Sequence, residues 1–189
     1  MNLLGRIRAK LGATAQAIFR SHAGLASISF RNHYHVECFG PDGVLKWEDH
    51  CDNLVMDVGL DEYLQRIWKS SAFTAADFIG LTDDTPTIVA GDTASSHAGW
   101  IEAQGYTEGT REAFVPGTVS AQSVDNSASK ASFSINAADT IGGAFAIDES
   151  TKGGTTGILI GAAAFSGGDK VVANLDTLNV TVTSTAASP

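Results

Sequence analysis

Between residues 126 and 184, apolar and polar positions alternate in short runs. Ala131, Phe133 and Ile135 are interleaved with Ser132, Ser134 and Asn136. A period of two gives a strand with one buried face. Ile141 to Ile147 reads as a second strand and Gly157 to Phe165 as a third. A fourth runs from Leu178 to Ser184, where Leu178, Val180 and Val182 oppose Asn179, Thr181 and Thr183. The links between these runs are Gly, Ser, Thr, Asn and Asp, residues that make turns. A strand about every ten to fifteen residues is the rhythm of a β-sandwich or jelly roll.

The upstream pattern is mixed. Leu25 to Phe30, Tyr34 to Phe39 and Val44 to Glu48 read as strands, and Gly40-Pro41-Asp42-Gly43 between the last two is a turn, so residues 34 to 48 predict a β-hairpin. A helix follows, capped by Asn53 or Asp57. Its Leu60, Leu64, Ile67 and Trp68 recur at helical spacing and are expected to cover one side of the β-body, with Asp61, Glu62, Arg66 and Lys69 facing out. Phe78 to Leu81 is a short strand, and Phe114 to Val119 and Gln122 to Val124 predict two more. Residues 3 to 20 also have helical periodicity, with Leu3, Leu4, Ile7, Leu11, Ala15, Ile18 and Phe19 near one face. Such a helix is marginal alone and needs a surface to pack on: its own domain, a neighbouring subunit or a membrane surface.

The expected fold is mainly β: a β-sandwich or jelly-roll-like body preceded by an amphipathic N-terminal helix, a β-hairpin and a short helix. Three segments are expected, an arm over 1–24, a hairpin and helix linker over 25–72, and the sandwich over 73–189.

Composition sharpens this. Of 189 residues, 43% are hydrophobic, enough for a globular core. The net charge of −9 is unevenly placed: no acidic residue precedes Glu37, so the first 36 residues carry +5 and the remainder −14. The acidic body argues against nucleic-acid binding there, since such affinity comes largely from neutralised phosphates. The basic arm, through Leu4, Ile7, Leu11, Ile18 and Phe19 with Arg6 and Arg8, is the expected partner anchor. Cys38 and Cys51 are too few for a disulfide scaffold. With no secretory leader and no stretch of ~20 apolar residues, the expectation is a soluble protein folded in a reducing cytoplasm, not bound to a membrane.

Candidate chemistry is thin. His33 and His35 share a face of a strand, but Cys38 has the opposite parity, and with His50 and Cys51 the spacing matches no common zinc pattern, so no metal site is expected. Cys51 and His50, adjacent in an extended segment, point apart and make no nucleophile–base pair. Asp83, Asp84 and Asp92 lack the spacing of an EF-hand. Trp100 and Tyr106 are candidate surface contacts, as a sugar-stacking platform, or else core or interface anchors. No catalytic residue and no cofactor is expected.

Several segments, in order, resemble a family of small structural proteins of tailed bacteriophages. They are Phe39 to Trp47, Asn53 to Leu60, Phe78 to Thr82, Ser95 to Glu102, Ser123 to Ser127 through Phe133 to Asn136, Ile141 to Phe145, and Gly153 to Gly157. The resemblance runs through residues 37 to 184 and leaves out the first 24. It implies a virion component assembled in the host cytoplasm: a capsid decoration or cement protein, a head fibre or a tail part. The implied partners are the major capsid protein or other virion subunits, in a homo-oligomer, with no enzymatic activity. A tail or head–tail junction component, or a receptor- or carbohydrate-binding module, are the alternatives.

Overall fold

The computed structural model describes residues 28–69 and 77–187. The chain divides into two units, Met1–Ser29 with Ala187–Pro189, and Phe30–Ala186. Of the first, only the residues bordering the second are described, so the expected arm lies outside the described residues.

The second unit is mainly β, as the alternation predicts, and is built on two antiparallel sheets. Sheet one runs β2 (Leu45–Asp52), β1 (Ser29–Phe39), β13 (Thr177–Ala187). The far edge of β13 is shared by β8 (Ala131–Ser134) and β7 (Ser123–Asp125), paired to its first and second halves. Sheet two runs β3 (Leu54–Val55), β11 (Leu159–Ala164), β10 (Gly143–Ile147), β4 (Phe78–Thr82), with β5 (Glu102–Ala103) and β6 (Glu112–Ala113) both on β4. β9 (Asp139–Ile141) and β12 (Lys170–Val172) form a small separate pair.

The main core lies between the sheets. Tyr34, Val36 and Cys38 of β1, Phe133 of β8 and Leu178, Val180 and Val182 of β13 meet Ile79, Leu81, Ala144, Ala146 and Ile160 of sheet two. β1, β8 and β13 each contribute alternate residues, the signature of one buried face. Sheet two is buried on both faces. Its other side carries Phe145, Ile147, Leu159 and Ala162, covered by Met56, Ala94 and Trp100. That is why residues 143–147 form an unbroken apolar run. Phe145 lies across the sheet, and a Cβ on Gly80 of the next strand would stand 2.2 Å from its ring.

Several expectations need correction. Of the expected strand Leu25 to Phe30, residues 25–27 lie outside the described residues, and the rest is not separate from Tyr34 to Phe39, because β1 runs on through Arg31-Asn32-His33. The inward Asn32 is accommodated there: its backbone N–H donates to Asn53 Oδ1 at 2.9 Å, and its carbonyl accepts from the Asn53 N–H at 2.9 Å. Ile141 to Ile147 is split at Gly142, whose N–H turns to the carbonyls of Thr82 and Asp83. Residues 114–119 make no strand, and β5 and β12 were not expected. The boundary at 72/73 falls inside the second unit, because β1 and β2 share a sheet with β13.

Candidate functional site

Helix α1 (Asp57–Trp68) is the surface feature that the core leaves unexplained. It starts at Met56, whose side chain makes no capping bond, so neither Asn53 nor Asp57 is its cap. Met56 is instead fixed by its neighbours: it is buried, and its N–H donates to the Ile160 carbonyl at 3.1 Å. One turn later Gly59 presses on β11. A Cβ there would lie 2.5 Å from the Ile160 carbonyl oxygen, so only glycine permits this approach.

That contact sets the rotation of the helix. Gly59 is its one buried residue, and Tyr63, a turn on, stacks on Phe30 with ring centroids 4.5 Å apart. Glu62 and Arg66 follow on the same side, half-buried and paired at 2.5 Å. The apolar stripe therefore points away. Leu60 is 41% exposed, Leu64 56%, Ile67 63% and Trp68 79%. The expectation that these four cover the β-body, with Glu62 and Arg66 outside, is reversed. Hydrophobic periodicity gives the face but not which surface it meets; Gly59 decides that.

Four large apolar side chains on three successive turns form a patch, and Leu64 and Trp68 line a shallow hollow with Asp61, Gln65 and Lys69. Apolar surface gathered in this way is characteristic of an interface rather than of scattered exposure. Asp61 and Lys69 put opposite charges at the two ends of the hollow. Two copies of α1 running antiparallel would set Asp61 of one near Lys69 of the other, the self-complementarity a two-fold interface requires.

The sequence candidates lie elsewhere. Trp100 and Tyr106 are not surface contacts: they are 6% and 1% exposed. Trp100 stacks on His97, faces Phe145, and donates from Nε1 to Asp92 Oδ2 at 3.0 Å. Tyr106 meets Phe133 edge to face at 4.9 Å, under the ammonium of Lys152. Large apolar residues in a polar stretch are here pins for loops. Leu4, Arg6, Ile7, Arg8, Leu11, Ile18 and Phe19 lie outside the described residues. Asp83 and Asp92 serve backbone structure, Asp83 accepting from the Ile101 N–H and Asp92 from that of Val89. Cys38 and Cys51 are free, buried thiols; burial pushes them up to about 11 and about 12 respectively, so both stay protonated at neutral pH.

One buried ion pair escaped the sequence reading. Arg111, 3% exposed, grips Glu102 of β5 through two parallel bonds of 2.9 and 2.7 Å. It also donates to the carbonyls of Glu149 and Gly154. Isolated charges in a polar loop carry no periodicity that would reveal this.

A cavity of about 170 Å³ opens between the sheets beside Tyr63, lined by Asp77, Ile79, Ile160 and Val182 among others. Asp77 Oδ1 is buried without a hydrogen-bond partner, and burial raises its carboxyl above the usual range against the opposing charge of Arg66. Among the described residues no helix is long and apolar enough to cross a membrane. No protein-family model matches the chain, and no curated protein or solved structure matches it significantly.

Proposed function

We propose that this chain is a non-enzymatic structural protein of a tailed-phage virion, a capsid decoration or cement protein that self-associates through α1. The observation that carries the reading is the outward apolar stripe of Leu60, Leu64, Ile67 and Trp68 on a body whose core is closed between its two sheets. A monomer gains nothing by exposing that face. A subunit in a repeated assembly gains about 25 cal/mol per Å² of apolar surface covered, before the cost of ordering. Repetition by symmetry multiplies a small gain at each contact. The ordered segments that resemble tailed-phage structural proteins support the virion setting, and the major capsid protein is the implied second partner.

The test is copy number. Purified particles carrying this protein are quantified by mass spectrometry against their major capsid protein. Hundreds of copies, on micrographs that place them on the head, are expected. A handful per particle would move the chain to the tail or the head–tail junction, and absence from particles would overturn the reading.

A further inference from the structure

The outer face of the β1–β2 hairpin gathers imidazoles. Three of the chain's five histidines meet there. Alternation along β1 puts His33 and His35 on the face opposite buried Tyr34 and Val36. The antiparallel register sets His35 across from His50 and His33 across from Asp52. The His35 and His50 rings lie parallel, centroids 4.1 Å apart and 6° between planes. His35 Nε2 donates to Glu48 Oε2 at 3.1 Å. One ligand atom each from His35, Glu48 and His50 falls within 4.8 Å of the others.

Hydrogen bonds assign the protons. A carboxylate only accepts, so His33 must donate through Nδ1 to Asp52 Oδ1, 3.0 Å away. Neutral His33 then has only an acceptor at Nε2, which lies 3.2 Å from His50 Nδ1. His50 therefore donates from Nδ1, and its Nε2 keeps a bare lone pair. A ligating histidine whose other N–H is held by a partner is the usual arrangement around bound metals.

We propose that His35, His50 and Glu48 form a binding site for a divalent transition metal, with His33 and Asp52 as positioning residues. The ion takes the place of the hydrogen bond between His35 Nε2 and Glu48 Oε2, and the His35 proton moves to Nδ1 so that Nε2 lends its lone pair. It takes its third ligand from His50 Nε2. Two imidazoles and a carboxylate suit Zn²⁺, Ni²⁺ or Cu²⁺ rather than Mg²⁺ or Ca²⁺. Bonds of about 2.0–2.2 Å require the ligand atoms to draw closer than they stand and the stacked rings to turn out of parallel, for which exposed Glu48 and His50 have room. Three protein ligands leave a fourth tetrahedral position open, on the solvent side. The sequence hinted at a Cys/His set, but the parity of β1 sends Cys38 inward and the histidines outward.

The site stands apart from the assembly role, and its test does not depend on it. The full chain, free of chelator, is titrated with ZnCl2 by calorimetry. One saturable site per chain is expected. His35→Ala and His50→Ala should abolish it, and Glu48→Gln should weaken it at least tenfold. His33→Ala should weaken it by about 10–100-fold, the usual effect of removing the partner that orients a ligating histidine, and Asp52→Asn, acting through His33, by less, with Asp52→Glu restoring part of the loss. Far-UV circular dichroism should be the same for all variants, and His97→Ala should bind like the parent. No saturable binding, or wild-type affinity in both His35→Ala and His50→Ala, would overturn the proposal. If either alanine variant misfolds, Glu48→Gln decides, and unchanged affinity there also overturns it.

Discussion

Arg111 and Glu102 form an ion pair inside the fold. Their pair is nearly dry, and Arg111 also ties the 148–154 loop to β5 through two carbonyls. Leaving either charge buried without the other costs about 3–5 kcal/mol. Glu102→Ala should therefore lower Tm by roughly 6–20 °C in thermal denaturation. A double variant, Glu102→Met with Arg111→Leu, should recover much of that loss, because no charge is then stranded. The two thiols give a second check. With Cys38 and Cys51 buried and their ionisation pushed to about 11 and about 12, neither should react with a thiol reagent in native protein at neutral pH. Both should react on denaturation, and labelling followed by intact mass reads the count. The inward place of Cys38 was legible from its parity against His33 and His35, but its partner was not. Cys38 sits against Asp176, far along the chain, a contact no local pattern encodes.

At the scale of elements, α1 shows what periodicity can and cannot tell. The spacing of Leu60, Leu64, Ile67 and Trp68 predicted a helix with an apolar face, and the helix is there. The same spacing suggested the wrong neighbour, because a stripe looks alike whether it meets its own sheet or another molecule. The exposed face makes a direct prediction. Leu64→Glu should change the stability of the isolated unit by no more than about 0.5 kcal/mol, as surface substitutions do. It should weaken self-association at least tenfold in light scattering across a concentration series. A parent protein that stays monomeric throughout would show that α1 is not a self-association surface. The hairpin was the most legible element. The turn over residues 40–44 closes with the Gly40 N–H on the Val44 carbonyl, as the Pro and Gly signals predict. The short strands β5, β6 and β12 were not legible, since two or three residues carry too little alternation and take their conformation from the strands they join.

For the whole molecule, the two-sheet design was readable from one-faced strands such as β8 and β13, while the burial of both faces of β10 was readable only as an apolar run. Asp77 links the global stability to pH. Burial raises its folded-state carboxyl above its unfolded value, so the folded chain holds that proton more tightly. Its contribution favours folding below the ordinary aspartate value of about 3.9 and is lost as pH rises through the raised value. Asp77→Asn should accordingly be more stable than the parent at neutral pH in urea titrations, with the gap closing on acidification. The order of strands in sheet one has a consequence in time. β1 is among the first described segments to leave the ribosome, and its neighbour β13 is the last. At about 5–20 residues per second, the 137 residues between Phe39 and Thr177 take roughly 7–30 s to make. Throughout that interval the hairpin's inner edge lacks its native mate, and an unpaired strand edge is a template on which the same edge of another chain can pair.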